Sequence, residues 1–262
     1  MKRVMIFALL LGLVGSVQAG VVAEPVEYRE GSTVMRGYLA YDDAITGSRP
    51  GILVVHEWWG HNDYARKRAE QLAGMGYTAL AVDMYGEGKQ ASHPEDAGKF
   101  AGEVKKNMAV ATARFEAARA LLTAHPTVKG EDISAVGYCF GGGIVLEMAR
   151  RGVELDLVAS FHGSLPTQHP ARAGMVKAEV LVFNGADDPF VKEEQIAAFK
   201  AEMEAADINY TFTNYPGAKH SFTNKDADAY GKKFELPLAY DEKADRQSWD
   251  ALSRALQKIY GK

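Results

Sequence analysis

Apolar and β-branched residues alternate with polar ones over Val26 to Tyr28 and Val34 to Tyr41, the period-two pattern of short strands with one covered face. From Gly51 the pattern changes. "GILVVH" (Gly51 to His56), preceded by Pro50, is a continuous apolar run suited to a strand covered on both faces, as in a parallel sheet. Ala65, Ala69, Leu72 and Met75 then recur at helical spacing, with Asn62 placed to cap that helix and Gly76 to end it.

The alternation repeats. "YTALAVDMY" (Tyr77 to Tyr85) predicts a strand and two helices follow, the second marked by Met108, Ala111, Phe115, Ala118 and Leu122. "ISAVGY" (Ile133 to Tyr138) predicts a buried strand leading into a helix from Gly141 to Arg151. "LDLVASFH" and "AEVLVFNG" predict two more strands, with a helix from Glu193 to Ala206 after the second. "YTFTNYPG" ends the series, and Trp249, Leu252, Leu256 and Ile259 mark a closing amphipathic helix. Strand and helix alternate without a linker, a repeat or a shift in composition. The fold class this implies is α/β, a single open and mostly parallel sheet with helices on both faces, over residues 20 to 262.

The first nineteen residues stand apart. Lys2 and Arg3 precede an apolar run from Val4 to Val17, and "VQA" offers small residues for cleavage after Ala19. This is the pattern of a secretory signal peptide; the run is short for a membrane span and two glycines interrupt it. The expected location is periplasmic or secreted, with no stable membrane association once the leader is removed. The balance of 30 basic against 34 acidic residues, with no basic stripe, argues against a nucleic-acid partner. Export also gives meaning to the single cysteine, Cys139: the chain can form no internal disulfide, and a lone thiol in an oxidising compartment is either buried or needed as a thiol.

Sites in open α/β sheets lie beyond the carboxyl ends of strands. There, "VGYCFGGG" (Val136 to Gly143) has the layout G-x-C-x-G between a strand and a helix. Such a turn displays its apex side chain above the sheet, near the positive end of a new helix, where a thiolate is favoured; Gly137 and Gly141 relieve crowding. The next backbone N–H, that of Phe140, is placed as an oxyanion donor. "FNGADDPFV" puts Asp187 and Asp188 after the next-to-last strand, and "GAKHSF" puts His220 after the last. Nucleophile, acid, histidine is the chain order of α/β-hydrolases. Asp188 is preferred as the acid because Pro189 follows it, with Asp187 as the alternative. No G-x-S-x-G, P-loop or G-x-G-x-x-G occurs, which excludes a serine hydrolase on the usual elbow and argues against nucleotide binding.

"VVHEWWGH" (Val54 to His61) looks like the zinc-protease string H-E-x-x-H, but its histidines are five apart, not four. On a helix that is about 140° of separation instead of about 40°. The string also ends a β-branched run and contains Gly60, so the metal reading fails. What remains is a loop after an early strand, where Trp58 could supply a second oxyanion N–H. Glu57 either faces the nucleophile or serves as a helix cap or surface ion-pair partner.

"HEWWG", "VDMYG", "GYCFGGG", "GADDPFV" and "KHSF", in this order, resemble the dienelactone hydrolase family of α/β-hydrolases from about Gly31 onward. The resemblance implies an α/β-hydrolase fold with Cys139 as nucleophile, His220 as base and Asp188 as its orienting acid. It implies oxyanion N–H groups from Trp58 and Phe140, and a Glu57 that interacts with the resting thiol and helps convert it to thiolate. Two positions depart from it. The arginines that hold a dienelactone carboxylate are replaced by Glu87 and Asn224, with Lys89 a weak substitute. Trp58, Trp59, Tyr85, His162 and Phe222 are candidates for an aromatic pocket, or for core. The expectation is a cysteine hydrolase of small neutral esters or lactones that needs no metal or organic cofactor. The alternative is an exported thiol redox or binding protein on the same scaffold, which would give no burst with an activated ester; a thiol-dependent acyltransferase ranks below both.

Overall fold

The computed structural model describes residues 20–261; residues 1–19, over which a signal peptide is expected, lie outside them. In chain order the elements are β1 (Val21–Glu30), β2 (Thr33–Asp42), β3 (Arg49–Val55), α1 (Asp63–Gly74), β4 (Thr78–Val82), α2 (Pro94–Lys106), α3 (Met108–Thr123), β5 (Val128–Tyr138) and α4 (Phe140–Arg150). They continue with β6 (Leu157–Phe161), β7 (Glu179–Gly185), α5 (Glu193–Ala205), β8 (Tyr210–Tyr215), α6 (Ala227–Phe234) and α7 (Glu242–Tyr260). The strands make one sheet in the order β1-β2-β4-β3-β5-β6-β7-β8. β3 to β8 are parallel, and β1 and β2 add an antiparallel hairpin at one edge.

The period-two rule sorts β3 into two cores. Leu53 and Val55 enter a cluster with Phe115, Leu122, Ile144 and Phe199, so α3, α4 and α5 cover that face. Ile52 and Val54 enter a second cluster with Ala65, Leu72, Leu252 and Leu256, under α1 and α7. Each fully buried large side chain in these layers stabilises the fold by about 1.5–3 kcal/mol. Among the described residues no helix is long and apolar enough to cross a membrane.

Three local expectations change. The strand predicted over Tyr77 to Tyr85 stops at Val82, because the buried Asp83 carboxylate captures the chain. Its Oδ1 accepts from Tyr85 N and Gly86 N at 3.0 and 2.8 Å, and its Oδ2 from Arg36 N and Gly88 N at 3.0 and 2.8 Å. Asn62 stands at the start of α1, but its side chain makes no capping hydrogen bond. α6 was not expected; its Tyr230 and Phe234 rings stack on Trp59, with centroids 4.6 and 5.8 Å away.

Candidate active site

The glycine turn after β5 is forced by close approach. A Cβ at Gly137 would overlap the Gly141 carbonyl, and one at Gly141 the Val55 carbonyl, so α4 can start hard against the sheet only with glycine at both. Cys139 sits at the apex with φ +52°, a conformation that costs a non-glycine residue about 1–3 kcal/mol. Its N–H is shared between Phe161 O at 3.0 Å and His162 Nδ1 at 3.1 Å. Gly141 N–H donates to His56 O at 3.1 Å, which joins the end of β3 to the first turn of α4.

Opposite the turn, His220 Nε2 lies 3.0 Å from Cys139 Sγ and His220 Nδ1 lies 2.7 Å from Asp188 Oδ2. Asp188 is buried and its Oδ1 accepts from Phe190 N at 2.8 Å; Asp187 is exposed. Of the two consecutive aspartates, Asp188 is therefore the one that meets the histidine. Burial alone pulls the His220 imidazole down, but the Cys139 sulfur and the Asp188 carboxylate outweigh it and raise its pKa to about 10. The arrangement stabilises the charged imidazolium form of His220.

Glu57 is almost wholly buried after β3, and burial raises its carboxyl pKa. The contact with the resting thiol implied by the family resemblance is not what forms. Glu57 Oε1 accepts from Ser221 Oγ at 2.7 Å and Oε2 from Asn224 Nδ2 at 2.6 Å, and the thiol faces His220 instead. Two neutral donors from the histidine loop out-compete one thiol. Glu57 is neither a helix cap nor a partner of a surface arginine. Asn224, at the position of a carboxylate-binding arginine, is itself buried and spent on this bond. At the other such position, the Glu87 side chain is largely exposed and pairs with Lys89 at 3.6 Å.

The two histidines of "VVHEWWGH" are spent on backbone. His56 Nδ1 donates to Glu57 O at 2.6 Å and His61 Nε2 to Ala81 O at 3.1 Å. Trp58, half-buried, has its carbonyl braced by Tyr85 Oη at 2.9 Å. Beyond Tyr85, between α2 and α3, lies a cavity of about 260 Å³ lined by Lys89, Phe100, Glu103 and Arg114 among others.

The remaining pocket candidates are packed instead of open. Trp59 is held under α6, while Phe222 lies between the His162 and Tyr215 rings at 5.2 and 5.6 Å. His162 is fully buried, with Nε2 2.7 Å from Thr223 Oγ1. The residue that sequence reasoning passed over is Phe190. It is 52% exposed, with its ring edge-on to His220 at 5.1 Å, and its only local signal was an apolar residue in a turn after Asp188.

A parallel sheet whose strand ends bring a thiol, a histidine and a carboxylate into one line is the architecture of an α/β-hydrolase. The chain belongs to the dienelactone hydrolase family: the family model matches residues 35–260. It is accordingly an enzyme that hydrolyses ester or lactone bonds. Among solved structures, a dienelactone hydrolase-like promiscuous phosphotriesterase from metagenomic libraries superimposes with a TM-score of 0.87 at 35% identity, covering 92% of this chain and 99% of that one. A Synechocystis sp. relative whose name places it with the carboxymethylenebutenolidases is 30% identical, over 71% of this chain and 80% of its own length. Protein usf of Aquifex pyrophilus is 27% identical, over 80% of this chain and 91% of its own.

Proposed function

We propose that the chain is a cysteine hydrolase of neutral carboxylic esters or lactones, working outside the cytoplasm after its leader is removed. The observation that carries the reading is the unbroken line from Cys139 Sγ through His220 to Asp188, at 3.0 and 2.7 Å. The thiolate attacks the carbonyl carbon, and the oxyanion is held by the N–H groups of Trp58 and Phe140. The C–O bond breaks, the leaving alkoxide takes a proton from the His220 imidazolium, and a thioester remains on Cys139. Water then gives a proton to His220 and attacks the thioester, which releases the acid and restores the thiol pair. Asp188 holds the imidazole with Nε2 toward sulfur.

The preference for neutral substrates rests on the two departures. Asn224 is committed to Glu57, and Glu87 adds negative charge on the other side, so an incoming carboxylate meets no paired cations. In this reading Glu57 braces the histidine loop. A neutral aryl phosphotriester is a second substrate class to assay, because the relative at 35% identity is described as a promiscuous phosphotriesterase.

The test is hydrolysis of 4-nitrophenyl acetate by the parent and Cys139→Ala, with intact-mass detection of an acetyl group on the parent during turnover. Loss of activity in the variant together with an acetylated parent is the expected result. A Cys139→Ala protein as active as the parent overturns the reading. Efficient turnover of dienelactone itself would overturn the neutral preference alone.

A further inference from the structure

His162 has no part in the mechanism above, yet it is held with unusual insistence. It follows β6 at φ +41°, a left-handed region that few non-glycine residues occupy, and Gly163 stands next to it. A histidine kept in such a place points to its side chain as the reason. Its Nδ1 has the Cys139 N–H aimed at it from 3.1 Å and must therefore be the bare acceptor nitrogen. The ring proton then sits on Nε2 and is donated to Thr223 Oγ1 at 2.7 Å. Burial, and the neighbouring His220, keep this imidazole neutral.

The second partner is anchored in turn. Thr223 Oγ1 also meets Tyr64 Oη at 2.6 Å, and Thr223 O accepts from Arg68 Nη2 at 2.7 Å. Arg68 is tied to Asp245 of α7 at 2.6 Å. Thr223 lies three residues after His220 on the same loop. One imidazole thus touches both halves of the thiol centre: the strained turn that presents sulfur and the loop that presents its base.

We propose that His162 is a positioning residue of the thiol centre: a single-tautomer bridge that accepts the Cys139 N–H at Nδ1 and donates to Thr223 from Nε2. It holds Sγ and His220 Nε2 in mutual register. The role in catalysis rests on the cysteine hydrolase reading; the role in setting the thiol does not. A histidine that merely fills space between Tyr138 and Phe222 would be indifferent to which of its nitrogens is copied by a substitute.

The two nitrogens can be copied separately. Asparagine places Oδ1 where Nδ1 stands, whereas glutamine reaches only toward Thr223. His162→Phe, with neither contact, should lower kcat on 4-nitrophenyl acetate about 100-fold with KM changed less than about threefold. His162→Asn should recover about tenfold of that loss and His162→Gln none, and the rate of Cys139 alkylation by iodoacetamide at neutral pH should rank the variants in the same order. An asparagine variant no better than the glutamine one, or three variants alkylated within about twofold of the parent, overturns the proposal. Thr223→Val guards against a misfolded ring substitution: it leaves His162 in place but removes its proton's partner, and should cost about tenfold in kcat, so a parent-like kcat would also overturn it. Alkylation needs no ester turnover, so failure of the hydrolase reading and failure of this bridge are read separately.

Discussion

Two clusters of polar side chains in this molecule each set a buried group among partly buried partners and differ in everything else. One is Arg150, whose Nε and Nη2 reach Glu202 at 2.8 and 2.9 Å, Nη1 reaches Glu147 at 3.2 Å, and Nη2 also reaches Leu165 O at 2.9 Å. It cross-links α4 to α5 from ordinary helical backbone, with each of its nitrogens engaged. The other is Cys139, His220 and Asp188. There the backbone is strained at Cys139 and again at Ser221 beside the histidine, with φ +52° and +58°. Among the described residues the sulfur has one polar partner, His220 Nε2. Burial and charge alone thus do not mark a reactive site; a group left short of partners on a backbone held away from its preferred shape does.

The sharpest way to break the contrast is at sulfur. Cys139→Ala should lower hydrolysis by about 10⁶-fold, read as the steady-state rate on an activated ester, because the members of such a centre act as a unit. Asp188→Asn should cost about 10⁴-fold in kcat by releasing the His220 tautomer. In the other cluster the loss should move from rate to stability. Arg150→Met leaves the Glu202 carboxylate facing no cation and Glu147 with only Arg151, 3.8 Å away, and should cost about 3–5 kcal/mol in urea denaturation, with kcat on folded protein unchanged.

A subtler probe is acid. Burial pulls the His61 pKa down to about 4, below its ordinary 6.5, so the fold favours the neutral ring. A depressed pKa means stability present above about 6.5 and lost as pH falls through about 4, by about 3 kcal/mol in all. Thermal melts of the parent should fall over that window, and His61→Gln should flatten the fall. The smallest effect has the opposite sign. Cys139→Gly relieves the positive φ and should raise unfolding stability by about 1 kcal/mol in an inactive protein. A lower melting temperature would show that the thiol turn is not strained.

What was legible in the sequence follows from what is local. Continuous apolar runs gave the parallel strands, and the order of Cys139, Asp188 and His220 gave the line that the structure brings together. The glycines at 137 and 141 announced a turn that only glycine fits. What stayed hidden depends on partners far away in the chain. The fate of Glu57 was set by Asn224, 167 residues on, and no spacing rule reaches that far. The end of β4 was set by one aspartate whose four acceptor contacts include one from Arg36, 47 residues earlier in the chain. α6 is eight residues long, and its aromatic face becomes apolar surface worth covering only when Trp59 is already there. His162 resembled a pocket wall because a sequence shows a ring without showing what its nitrogens hold.

The clamp between Glu57 and Asn224 also says something about how the chain gets to its native state. It closes a loop of 167 residues, and the parallel pairing of β3 with β5 crosses α1, β4, α2 and α3 before it can form. Contacts of such long range are formed only after a large loss of chain entropy, so they come late and slow the search. No half of the sheet holds a working fragment of the centre, because its residues come from the ends of β3, β5, β6, β7 and β8 alike. Regained esterase rate after dilution from denaturant is therefore an end-point clock. It should lag behind the return of helical circular dichroism, and the lag measures the time the last strands take to dock.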